Sequence, residues 1–147
     1  MKSTTSEGGS RVEVIRSPRS PYFVLLSRRE AEQEACRLLA FLDLQDYALE
    51  LQLTGDREVA ELNQRFLGLP GPTNVLSFPT EDEEGFLGSI VVSVQAVVRE
   101  AHLYAQPTRE HLLRLLAHSV LHLAGYEHGP LMDELTENAV RSLTSEA

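Results

Sequence analysis

The chain has one cysteine, Cys36, among its 147 residues. That excludes an internal disulfide framework and any cysteine-built zinc finger, and it suits a reducing cytoplasm. No apolar run is long enough to span a bilayer, so no membrane-spanning helix is expected. The opening stretch, Met1 to Ser10, is polar and glycine-rich and lacks the apolar core of a signal peptide. It is expected to be a loose tail ahead of a single domain over 11–147. Positive charge is in deficit as well: 13 Lys and Arg against 22 Asp and Glu give a net charge of −9. A generic nucleic-acid binder normally carries a basic face, so no partnership with DNA is expected. An enzyme that meets RNA through a metal and a small local patch is compatible with the same charge. Neither an internal repeat nor an interdomain linker is visible.

What is present is ordinary globular material, 42% apolar and 24% charged, in a chain long enough to bury a core. Val12 and Val14 alternate with polar neighbours up to Pro18 and predict a strand. Ser27 followed by Glu30 reads as a capping box for a helix whose stripe is Ala35, Leu38, Leu39 and Leu42. Cys36 on that helix is expected to be a buried, inert thiol. Leu49, Leu51 and Leu53 return to period two. Asp56 is expected to cap a helix carrying Val59, Leu62 and Phe66 on one face and closing at Gly68. Two short strands, Asn74–Phe78 and Leu87–Val94, flank an acidic turn and suggest a hairpin. A helix then runs from Ser93 to Ala105. The next is expected to be capped by Thr108 and to end at Gly125, and a last one covers about 130–144. The order β-α-β-α-β-β-α-α-α predicts an α+β fold, a single domain. A mixed sheet of about four strands would pack against helices, with a His-bearing central helix.

Three of the five histidines stand within eleven residues, in the stretch HSVLHLAGYEH. His118 and His122 are four apart on a helix, so their imidazoles project from one face a turn apart. Gly125 permits a sharp reversal, after which His128 can fold back as a third ligand. Three neutral imidazoles with a fourth position open to water describe a catalytic zinc site and not a structural one. The zinc proteases that share this spacing place a glutamate base after the first histidine; here the residue is Ser119, which cannot serve as that base. A proton acceptor would come from Glu127, from the acidic stretch Glu81–Glu84, or from the substrate, with the nucleophilic water acidified by the metal itself. Glu127 could instead orient a ligand imidazole. His111, seven residues before His118, is read as an exposed side chain or a support for the ligands, the exposed reading being preferred, and His102 as structural. Arg57, Arg65, Arg109 and Arg114 are the cations available to a phosphate backbone.

HSVLHLAGYEH also resembles the H-G-x-L-H-L-x-G-Y-D-H signature of the YbeY family, bacterial metal-dependent endoribonucleases of rRNA maturation. PTNVLSFP, from Pro72 to Pro79, is similar to that family's P-T-D-V-L-S-F-P. LNQRF (Leu62–Phe66) and LGSIVVS (Leu87–Ser93) resemble its other blocks, in the same order. The resemblance implies one zinc ion on His118, His122 and His128, although three histidines also accept other transition metals. It further implies cleavage of single-stranded RNA in maturation of the small-subunit rRNA 3′ end and in ribosome quality control, association with the small ribosomal subunit, and a cytoplasmic location. Thr73, Asn74 and Ser77 would line the substrate cleft.

Three positions depart from the pattern. Leu67 stands where the family has an arginine, a role in phosphate contact that leucine cannot fill. Arg65, two residues earlier, is about 200° around the helix from it. Asn74 and Ser89 each replace an aspartate. Two alternatives therefore accompany the nuclease reading: a zinc hydrolase or peptidase sharing the ligand spacing, and a ribosome-associated metalloprotein with weakened catalysis.

Overall fold

The computed structural model describes residues 11–16, 26–69, 73–80 and 84–145. The expected tail, Pro18, Pro72 and the acids at 81–83 lie outside the described residues. The elements are β1 (Arg11–Arg16), α1 (Arg28–Phe41), β2 (Ala48–Thr54), α2 (Asp56–Leu62), β3 (Val75–Pro79), β4 (Phe86–Ser93), α3 (Val94–Leu103), α4 (Thr108–Leu123) and α5 (Pro130–Ser145). A π-helical turn, Asn63–Leu67, extends α2. This is the α+β order expected from the sequence.

The sheet order is β1-β2-β4-β3. β1 and β4 both run parallel to β2, and β3 returns antiparallel along β4 as a hairpin partner. Period-two alternation assigns the faces. Leu49, Leu51 and Leu53 join Val12, Val14, Ile90 and Val92 in the main core, shared with buried residues of α1, α4 and α5. Leu76 and Val91 point to the opposite face, where Val59 of α2 covers them. Each such aliphatic side chain contributes on the order of 2 kcal/mol by leaving water. That sum fixes the rotation of α4: Leu112, Leu113, Leu116, Ala117, Val120 and Leu121 are all buried. The helix is central, touching α1, α3, α5, β3 and β4.

Local signals held at one helix start and missed at two. Ser27 Oγ accepts from the Glu30 amide at 3.0 Å while Glu30 Oε1 accepts from the Ser27 amide at 2.9 Å, a complete capping box. Asp56 is not a cap. Gly55 holds that position, and the Asp56 carboxylate instead binds Arg99 and Ser93. Thr108 is likewise the first helical residue, behind Pro107. In both cases a tertiary partner or a proline occupies the role that a local hydroxyl or carboxylate would take.

Phe66 is a further correction. It was expected on the buried stripe with Val59, yet it is 59% exposed. The π turn adds a residue per turn and rotates Phe66 off that face, so that its ring meets Phe78 edge-on with centroids 5.7 Å apart. Gly68 then closes the turn in the left-handed conformation (φ 67°). Cys36 forms no disulfide and is half-buried; burial, and then the charge of Glu32, push its thiol pKa up and keep it unreactive. No helix of the described residues is long and apolar enough to cross a membrane.

Candidate metal centre and cleft

The non-core stripe of α4 is Glu110, Arg114, His118 and His122, each four residues from the next. It lies along α5, which runs antiparallel to α4. Arg114 reaches Glu137 at 2.6 Å, and His118, one turn on, senses Asp133. The helix stops at Ala124, and Gly125 (φ 98°) turns the chain back, as expected from its position. This reversal brings the His128 ring against His118, with centroids 4.9 Å apart at 67°. His118 and His128 are thus in contact at one end of α4, where His122 also lies.

His118 is half-buried while His122 and His128 are exposed. Burial holds the His118 pKa below the usual imidazole value. The positive charges that His128 and His122 could carry push it the same way, and Asp133 opposes them. The neutral ring this favours is the form that donates a lone pair to a metal. Among the described residues no three His, Cys, Asp or Glu side chains stand close enough together to hold a metal ion. The donor chemistry, three imidazole nitrogens, is nevertheless of the kind a tetrahedral ion takes. Ser119 is buried in α4, away from solvent. Glu127 is exposed in the turn beside His128. Asp133 was not singled out from the sequence. An acid in the first turn of a helix reads as an ordinary dipole partner, and only the α4–α5 packing sets it beside His118.

A second polar site forms where β3 begins. Thr73, Asn74, Ala96, Arg99 and Glu100 line a cavity of about 260 Å³. None of His118, His122 and His128 lines it. Ser77, two residues into the strand from Val75, is half-buried and shares the α4-side parity of Val75. His111 overturns the preference for an exposed side chain. It is 6% exposed, and its Nε2 lies 2.9 Å from Glu100 Oε1. His102, expected to be structural, is exposed at the end of α3.

Of the four cations, Arg109 and Arg114 are occupied inside the helical layer. Arg109 binds Glu34 at 2.8 Å, and Arg114 binds Glu137, Gln106 and Glu110. Arg57 pairs loosely with Glu61. Among the described residues Arg65 has no carboxylate partner, and its guanidinium lies over the Phe66 ring, 5.8 Å from the centroid. Leu67 beside it is 52% exposed.

A family model described as Endoribonuclease YbeY matches residues 26–146 of this chain. The chain belongs to the YbeY family of endoribonucleases. An Endoribonuclease YbeY from Oleidesulfovibrio alaskensis is 40% identical over 145 residues, covering 83% of this chain and 86% of that protein. One from Lawsonia intracellularis is 44% identical over 102 residues, covering 69% and 74%. The fold is similar to the solution structure of TM1509 from Thermotoga maritima, with a TM-score of 0.67 and 26% identity over 93% of this chain and 90% of that one. YbeY membership makes the protein a hydrolase of RNA phosphodiester bonds. It favours the nuclease reading over the peptidase alternative that the histidine spacing suggested and Ser119 argued against.

Proposed function

We propose that this YbeY endoribonuclease cuts single-stranded RNA with one zinc ion held by His118, His122 and His128. We further infer that its substrate is ribosomal: the 3′ end of small-subunit rRNA, with roles in rRNA maturation and ribosome quality control. The small ribosomal subunit is the partner and the cytoplasm the location. The observation that carries the metal is the packing of His128 against the half-buried His118, on the face that His122 shares.

When bound, zinc would polarise a phosphoryl oxygen and lower the pKa of a water molecule. The chain's own groups do the rest. His118, carried on α4 and half-buried, sets the position of the donor set. Asp133 places a negative charge near His118, which opposes the effect of burial on that ring. Arg65 and Phe66, side by side and exposed, offer a guanidinium and an aromatic face to a nucleotide strand.

Metal removal tests this reading. Protein as purified is expected to contain about one zinc per chain and to cleave a fluorogenic single-stranded RNA. Chelation should abolish cleavage and re-addition of zinc restore it. Cleavage that survives complete removal of the metal would sink the proposal.

A second reading, a ribosome-associated metalloprotein with weakened catalysis, is favoured by the exposed Leu67 at the position of the family's arginine. Leu67→Arg is expected to raise kcat at unchanged metal content, by about tenfold if the restored cation stabilises developing phosphoryl charge. Single-turnover RNA cleavage by the two proteins checks it. An unchanged rate would mean that the chain has no need of an arginine at this position.

A further inference from the structure

At two positions where the family motif carries an aspartate this chain carries none, and at both a carboxylate stands one hydrogen bond away. Ser89 Oγ donates to Glu50 Oε1 at 3.0 Å, directly across the β2–β4 ladder. Asn74 Nδ2 donates to both oxygens of Glu100, at 3.0 and 3.3 Å. The second case lies on the wall of a cavity, since Asn74 and Glu100 both line the 260 Å³ space above β3.

Glu100 is held from behind. His111, nearly fully buried on α4, approaches Glu100 Oε1 through Nε2 at 2.9 Å. In the neutral ring that contact assigns the proton to Nε2. The ring's other nitrogen is buried without a hydrogen-bond partner among the described residues, so Glu100 is its one polar anchor. Asn74 is held twice: its side-chain amide by Glu100, and its carbonyl oxygen by the Ser93 amide at 2.9 Å. With Nδ2 engaged, Oδ1 is the polar atom that Asn74 retains for a ligand. Three elements, α4, α3 and the entry to β3, converge on one amide orientation.

We propose that Glu100 is a positioning residue for the RNA strand. Its carboxylate, anchored by His111, fixes the Asn74 amide on the cavity wall and supplies there the negative charge that the family motif places on residue 74 itself. The proposal rests on the ribonuclease activity and not on the identity of the metal. It assigns the acid and the amide as an exchangeable pair: what matters is one carboxylate and one amide N–H in contact, and not which position carries which.

Reciprocal exchange tests it. Wild type, Asn74→Asp, Glu100→Gln and the double variant would be compared in three measurements. These are kcat and KM on a fluorogenic single-stranded RNA, affinity for a 2′-O-methyl RNA of the same sequence by fluorescence anisotropy, and melting temperature. Asn74→Asp sets two carboxylates against each other and is expected to raise KM and the RNA Kd about tenfold. Glu100→Gln removes the charged acceptor and is expected to raise both about threefold. The double variant restores one acid and one amide, and should return to within about twofold of wild type instead of showing the product of the two losses.

Losses that multiply in the double variant overturn the proposal. So do single variants that melt lower but bind and cleave as wild type does, because the network is then only structural. Should Asn74→Asp alone fail to fold, Asn74→Ala replaces it: weakened RNA binding there, with recovery in the double variant, supports the pairing, and undiminished binding overturns it. If wild type binds RNA without cutting it, the nuclease assignment fails while the exchange is still decided by anisotropy. A wild type that does neither overturns both.

Discussion

His122→Ala is expected to leave the protein folded and to cut RNA cleavage by more than about a hundredfold, with loss of the bound metal. Removing even a group that only supports a metal ligand costs about 10–100-fold, and a ligand itself should cost more. His122 is the informative choice because it is exposed at the last turn of α4, outside the core. Truncating it should shift stability by no more than about 0.5 kcal/mol. His118→Ala is expected to be as damaging to activity. It also removes a half-buried ring packed against His128, so a small drop in melting temperature would accompany it. Elemental analysis and single-stranded RNA cleavage, on matched preparations, check both. If His122→Ala retained its metal and its rate, the donor set would have to lie elsewhere and the cleavage would belong to a contaminant.

Gly88→Ala is the substitution expected to harm the fold most. Gly88 sits in β4 opposite Pro79 of β3, at a φ of 136° that side-chain-bearing residues rarely adopt. A Cβ placed there would fall well inside contact with the Phe78 carbonyl oxygen, and would lie 3.1 Å from the Pro79 Cα. Backbone offers no rotamer with which to escape. The clash and the strained φ together should cost about 3 kcal/mol or more, which for a domain of this size lowers Tm by roughly 6–12 °C. β3 is an edge strand whose one strand partner among the described residues is β4, so it is the element expected to shift. Asn74 and Ser77 would move with it, and activity should fall further than stability alone accounts for. Thermal melts alongside cleavage rates test this. A variant within about 0.5 kcal/mol of wild type would show that β3 and β4 do not approach so closely at this residue.

Much of the molecule was legible in the chain. Period-two runs such as Leu49, Leu51 and Leu53 and helical stripes such as Ala35, Leu38 and Leu39 gave the element order, and all six residues are buried. His118, His122 and His128 could be grouped because their relation is local: one helical turn plus a glycine reversal. The misreadings share a different origin. Phe66 fits a 3.6-residue stripe, but a π turn intervenes. Arg109 and Arg114 were read as solvated cations open to phosphate, yet α1 and α5 bring Glu34 and Glu137 to them. Asp56 looked like a local cap and became a partner of Arg99, whose hydrogen bonds hold its carboxyl below the usual range.

The sequence by itself therefore determined the periodic elements, the family motifs and the histidine triplet. These depend on spacing along the chain, which 3.6- and 2-residue repeats convert directly into direction. Only the tertiary structure decided that His111 is buried on Glu100, that Glu100 grips Asn74, and that Asp133 stands beside His118. Those contacts join residues 11 to 26 positions apart through helix-on-helix and strand-on-helix packing. Hydrophobic burial chooses that packing without regard to the polar groups it brings together, and so no local pattern in the chain announces them.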